Sequence, residues 1–154
     1  MPNPLARLAQ INVARMLYPI DHPGMAAFVA GLDPINALAD QAPGFVRRLQ
    51  DESGNATAFN PFDDPMIIVN MSVWASVEAL FDFVYTSDHT AIMRRRKTWF
   101  EKPTEAHMAL WWIPAGSLPT AQEGKARPLH LREHGPTAFA FSFKRPFAAP
   151  AIAA

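Results

Sequence analysis

Apolar and polar positions alternate in period two at several places along the chain. From Leu8 to Ala14 one side carries Ala9, Ile11 and Val13, and the other carries Leu8, Gln10, Asn12 and Ala14, which predicts a β-strand. From Met66 to Trp74, Ile67, Val69, Met71 and Val73 form an apolar face, and Ile68, Asn70, Ser72 and Trp74 form a mixed one. Two further strands are predicted. Phe45–Gln50 carries adjacent Arg47 and Arg48, and His107–Ile113 carries adjacent Trp111 and Trp112, each pair pointing to opposite faces. Helical spacing replaces alternation elsewhere. Phe28, Leu32, Ile35, Leu38 and Ala39 mark a first helix, cut into two pieces by Asp33-Pro34. Val77, Leu80, Phe81 and Val84 mark a second, over Ser76–Tyr85. Ser87 caps a third, from Asp88 to about Phe100. Thr120 and Glu123 form a capping box that opens a fourth, broken at Pro128 and stopped by Gly135-Pro136. Phe139, Phe141 and Phe143 read as a last short strand, and the chain after Pro146 as a disordered tail.

The order strand, helix, strand, strand, helix, strand is the ferredoxin-like split motif, βαββαβ: an α+β fold with one antiparallel sheet, here extended by a C-terminal helix and strand. Residues 1–146 make a single domain on this reading, followed by the tail 147–154. The first and third strands are the central neighbours. Their apolar faces are expected to turn toward the helices and their amide-bearing faces toward a cavity. The far side of the sheet needs a cover, which a second copy of the chain would supply. A homodimer follows as an expectation.

Composition narrows the function classes. The chain has 154 residues and no cysteine, which removes disulfides, cysteine–zinc sites and thiolate nucleophiles. Lys+Arg and Asp+Glu balance at 14 each, against a nucleic-acid footprint or a polybasic membrane patch. There is no apolar run of membrane-spanning length and no apolar signal core near the start, so a cytoplasmic location is expected. No glycine-rich phosphate loop or nucleophile elbow occurs, and His22, His107, His130 and His134 show no metal-ligand spacing, so no metal site is predicted.

Ser72-Val73-Trp74-Ala75-Ser76-Val77-Glu78-Ala79-Leu80, followed by Ser87-Asp88-His89, resembles the recurrent strand, tryptophan, acidic helix and Ser-x-His signature of the dimeric α+β-barrel superfamily. That superfamily includes small cofactor-independent monooxygenases and haem-degrading enzymes. Over most of its length the chain resembles, within that superfamily, a bacterial family of domains of unknown function. The matching segments include Leu8–Arg15, Pro43–Leu49, Arg94–Phe100, Leu110–Gly116 and Gly135–Phe139. The resemblance implies a small-molecule enzyme like the cofactor-independent monooxygenases, acting on an aromatic or polyketide-like substrate without a cofactor. The alternative is a non-catalytic binding protein for a flat ligand such as haem. Asn12 and His89 would fill two of the roles in haem-degrading relatives. Met93 and Phe83, however, stand where the haem ligand and the tryptophan are expected, which weakens that reading.

His89 and Arg96, on one stripe of the third helix, are the candidate catalytic pair. Imidazole titrates near neutrality, and a guanidinium fork matches a carboxylate or phenolate. Asn12, Asn70, Ser72, Trp74, Trp111 and Trp112 are the candidate substrate-binding residues, with one tryptophan of the adjacent pair facing the cavity. The competing reading makes His89 a helix cap, Arg96 a solvated residue, the tryptophans core, and the amides partners of one another or of Arg47 and Arg48.

Overall fold

A computed structural model describes residues 6–48, 62, 64–86, 95–103 and 106–149. The alternating stretches form strands β1 (Ala6–Arg15), β2 (Phe45–Arg48), β3 (Ile67–Trp74) and β4 (Met108–Pro114). They make one antiparallel sheet in the order β2-β3-β1-β4, the ferredoxin-like arrangement with β1 and β3 central. The register places Asn12 opposite Asn70, Gln10 opposite Ser72 and Leu8 opposite Trp74. All six side chains therefore share one face.

Four α-helical segments, α1 (Ala26–Gln41), α2 (Val77–Thr86), the single turn α3 (Arg96–Trp99) and α4 (Ala121–His134), and a 3-10 turn over Pro23–Met25 complete the described chain. The Thr120 cap matches its sequence signal, and Ser76 adds one that was not read from the pattern. Ser76 Oγ accepts the Ala79 N–H at 3.1 Å, and Thr120 Oγ1 accepts the Glu123 N–H at 3.1 Å. Of the helix expected over 88–100 the described residues show the turn Arg96–Trp99, and Ser87 and His89 lie outside the described residues. Backbone bonds from Leu17 N–H to the Trp99 carbonyl (2.8 Å) and from Glu101 N–H to the Arg15 carbonyl (2.9 Å) dock α3 against the end of β1.

Three expectations change. Proline interrupts neither long helix. α1 runs through Pro34 and α4 through Pro128. Ala30 and Pro34 are exposed, so water can take the carbonyl that proline cannot satisfy. Pro128 is instead fully buried and contributes to the packing of α4 on the sheet. The Phe139–Phe143 run is pinned rather than paired along its length. Phe141 exchanges two 2.9 Å backbone bonds with Leu110, while Phe139 turns out to stack under the Arg127 guanidinium, 3.7 Å from its ring centre. Beyond Pro146, the Phe147 carbonyl accepts the Trp112 indole N–H at 2.8 Å.

The third change concerns the faces of the sheet. The apolar face, with Ile11, Met71, Val73 and Trp111, packs against α4 through Leu131 rather than against α1 and α2. Gly124 makes this contact close. A Cβ there would stand 2.6 Å from the Met71 thioether. The two faces are thus exchanged: the side of the sheet away from α1 and α2, expected to bear the amides and to await a second copy, is apolar and is buried by the chain's own C-terminal helix. The amide-bearing face turns to α1 and α2. Leu8, Trp74 and Leu110 pack with Leu80 and Phe83 at one end, and Ile68 and Ala14 with Phe28 and Trp99 at the other. The result is three layers, α1 and α2 over the sheet over α4. Each large side chain buried in them contributes about 1.5–3 kcal/mol.

Candidate functional site

The amide-bearing face is not closed completely. Between it and α1, α2 and α3 lies a cavity of about 330 Å³. Its floor is polar and comes from the two central strands: Gln10 and Asn12 of β1, Asn70 and Ser72 of β3. Its ends are aromatic. At one end Trp74 meets Phe45 edge-on (5.2 Å between centres) and lies beside Phe83 (5.3 Å). At the other, Phe28 meets Phe100 edge-on (5.0 Å) and packs on Trp99 (5.5 Å). Rings of this size span from helix to sheet and hold the two layers apart over the shorter amides between them.

The floor is a directed hydrogen-bond chain. Gln10 Nε2 donates to Asn70 Oδ1 (2.7 Å) and to Ser72 Oγ (2.8 Å), and Trp74 Nε1 also donates to Ser72 Oγ (2.8 Å). Indole nitrogen can only donate, so the direction of that last bond is fixed. A hydroxyl oxygen has two lone pairs and one proton. With both lone pairs engaged, the Ser72 proton has to point away from Gln10 and Trp74, and Ser72 lines the cavity. Gln10, 4% exposed, spends both amide protons on Asn70 and Ser72, which leaves Oε1 as an acceptor. Asn12 differs from its neighbours: it is half-buried, lines the cavity and has no hydrogen-bond partner among the described residues. Its amide atoms stay accessible from the hole, so they offer a ligand both a donor and an acceptor.

Two guanidinium groups flank the floor. Arg48 of β2 reaches α1, where it pairs with Asp40 and donates to the Asn36 carbonyl at 3.3 Å. It faces the cavity because a bulge between Phe45 and Arg47 leaves Arg47 opposite Val73 and Arg48 opposite Ser72. Arg96 of α3 lies over the Phe100 ring, 5.7 Å from its centre, and has no carboxylate partner among the described residues. Burial holds its pKa below the usual arginine range. His107, just before β4, supplies an imidazole at the same edge.

The structure therefore brings together Asn12, Asn70, Ser72, Trp74 and Arg96 around one cavity. Trp111 and Trp112 are not part of it. Trp111 lies on the opposite face, beneath Arg127 (5.1 Å to the ring centre), and Trp112 shares the cavity's face but packs toward Phe143 and Phe147. The alternation of strand β4 separates the two indoles as expected. Trp111 is kept from the hole by the sheet itself, and Trp112 by the C-terminal segment that takes its indole N–H. His89 lies outside the described residues. Arg48, His107 and the ring Phe28–Trp99–Phe100 were not among the candidate site residues from sequence, and Gln10, which alternation places on the cavity-facing side of β1, was not carried into that set. Gln10 carried a usable signal, since it lies two residues from Asn12 on the same strand face. His107 carried none, having no patterned neighbour. Among the described residues no group of three or more His, Asp or Glu is placed to hold a metal ion, and no helix is long and apolar enough to cross a membrane.

No curated protein matches the chain. Several solved structures are similar to it. They include the cofactor-independent oxygenase SnoaB from Streptomyces nogalater, at 16% identity and a TM-score of 0.48 over 74% of this chain and 98% of that one. A conserved protein from Methanosarcina mazei matches at 16% and 0.49 over 69% and 90%. A dabb family protein with a ferredoxin-like fold from Mesorhizobium loti matches at 15% and 0.43 over 74% and 99%. The fold stands on the strand order and register above, independently of these likenesses. At the level of sequence the match is to one family over residues 7–154, and the chain belongs to it: the domain of unknown function DUF3291.

Proposed function

We propose that the chain is a small-molecule enzyme of the cofactor-independent monooxygenase kind, and that its substrate is a flat, electron-rich aromatic or polyketide-like compound held over β1 and β3. The observation that carries this reading is the unpartnered Asn12 amide beside the outward Ser72 hydroxyl, inside a hole whose ends are aromatic rings. In such chemistry the substrate itself, once deprotonated, supplies electrons to oxygen. The protein contributes a shaped apolar hole, donors for the developing anion and one acid–base group. Asn12 and Ser72 donate to the substrate oxygens, and the Arg96 cation favours the anionic form. The proton goes to an imidazole, either His89, as the resemblance implies, or His107 in the cavity wall. The site is built within one chain, so the reading does not depend on a second copy.

Oxygen uptake by the purified protein with a panel of dihydroxy-aromatic compounds tests this. Asn12→Leu is the informative variant. Removing a side chain that has no partner should leave the melting temperature unchanged or raised, while uptake falls by about tenfold or more, the loss expected for one hydrogen bond to a charged group. Uptake that survives Asn12→Leu, or no uptake with any of the panel, defeats the enzyme reading. A Soret band in the purified protein would replace it with haem binding.

A further inference from the structure

A second cavity, of about 230 Å³, adjoins the first. The two share Ala14, Arg96 and His107 in their walls. The first cavity is apolar and amide-lined. The second is cationic: Arg15, Arg96, Lys102 and Arg132 line it against one carboxylate among the described residues, Glu101. These cations are not equivalent. Arg15 is already held by Asp64 (2.5 Å) and Glu101 (3.2 Å), and Arg132 Nε donates to the Ala106 carbonyl (2.7 Å). Arg96 stands between the two holes, half-buried, over the face of Phe100 and with no carboxylate partner among the described residues. A cation withdrawn from water without a counter-charge is unfavourable, and an anion entering beside it removes the imbalance.

We propose that the second cavity is a carboxylate subsite continuous with the first, so that the preferred ligands are flat aromatic acids, ring over β1 and β3 and carboxylate on Arg96. This rests on the reading of the first cavity as a small-molecule site. A carboxylate fits better than a phosphate dianion. Its two oxygens match the guanidinium fork, and Glu101 in the same wall opposes a second negative charge. The class differs from a neutral aromatic in one group only, which makes the subsite separable from the cavity.

The test is calorimetric titration of the wild-type chain, Arg96→Gln and Arg96→Lys with two probes of equal ring size, 2-naphthoate and 2-naphthylmethanol, at neutral pH and low salt. In the wild type the acid should bind about 10- to 100-fold more tightly than the alcohol. That ratio should collapse toward one in Arg96→Gln and be partly kept in Arg96→Lys, which retains the charge without the fork. Equal binding of both probes to the wild type overturns the subsite and leaves the cavity reading standing. An acid preference that survives Arg96→Gln also overturns it, because the carboxylate then sits elsewhere. Binding of neither probe removes the cavity reading and the subsite with it. Should Arg96→Gln fail to fold, Arg96→Lys still decides: a preference undiminished from the wild type counts against the fork.

Discussion

The buried indoles of this chain differ in what their N–H groups meet. Trp74 and Trp111 are equally buried, at 1% exposure. Trp74 donates to Ser72 and so holds the cavity floor in its one direction. The Trp111 N–H is buried without an acceptor among the described residues, an arrangement that costs about 1–3 kcal/mol. Phenylalanine keeps most of either ring and removes the N–H. Trp111→Phe should therefore change stability by less than about 1 kcal/mol, because relief of the unpaired donor offsets the smaller ring. Trp74→Phe leaves Ser72 Oγ one donor short and unties the Gln10–Ser72–Trp74 chain, and should cost about 2 kcal/mol or more. Urea denaturation of the two variants measures both. A Trp111→Phe loss equal to that of Trp74→Phe would show that packing alone governs the two sites. Burial could not have ranked these residues, and sequence pattern could not either, since both lie on strands with identical alternation.

Between α1 and β2 the chain turns at Gly44, and that turn sets how α2 lies over the site. Gly44 has φ +82°, its carbonyl accepts the Ala75 N–H at 2.7 Å, and a Cβ there would stand 2.5 Å from the Ala79 Cβ on α2. Gly44→Ala meets a backbone penalty of about 1–3 kcal/mol and a clash against helix-borne carbon that cannot swing aside. A net loss of about 2–4 kcal/mol is expected by thermal or urea unfolding. A loss below about 0.5 kcal/mol, the level of an ordinary surface change, would mean that α2 is free to shift. Elements of this kind were legible in the sequence to different degrees. The period-two stretches marked the strands, and their order led to the topology and to the pairing of the Asn12 and Asn70 faces, because alternation and connection rules are local. Pro43-Gly44 marked the turn. The assignment of faces to helices was not legible. Each strand presents a face that can be buried, and the choice between them depends on α4, whose fit rests on Gly124, Pro128 and Leu131 rather than on an apolar stripe. The prolines misled for a related reason: Pro34 is exposed where water can satisfy the freed carbonyl, and Pro128 is buried as packing, neither of which spacing reveals.

For the whole molecule, the decisive feature is that α4 and the segment through Phe141 cover a sheet face that would otherwise be bare. Ile11, Met71 and Trp111 are all within 1% of complete burial there, with Val69 and Val73 beside them and Val13 at the edge. Six such side chains represent about 9–18 kcal/mol of transfer free energy. The net stability of a domain is about 5–15 kcal/mol, so the core layer under α4 is not an accessory to the fold. The same cover bears on assembly: a sheet-to-sheet dimer through this face would require α4 to leave it. Ending the chain at Gly116 separates the two roles. The shortened chain keeps all four strands, α1, α2 and every described wall of the first cavity, and loses the cover together with Phe141, Phe143 and Phe147, which pack beside Leu8, Trp74 and Leu80. It should either lose its cooperative unfolding transition or bury the exposed face against another copy, read as a concentration-dependent rise in mass by light scattering and as strong binding of a hydrophobic dye. The full chain, by contrast, should show neither response through this face. A shortened chain that stays monomeric, binds no dye and melts cooperatively near the full-length temperature would show that the ferredoxin-like core is self-sufficient. α4 would then have to be explained by something other than the burial of β1, β3 and β4.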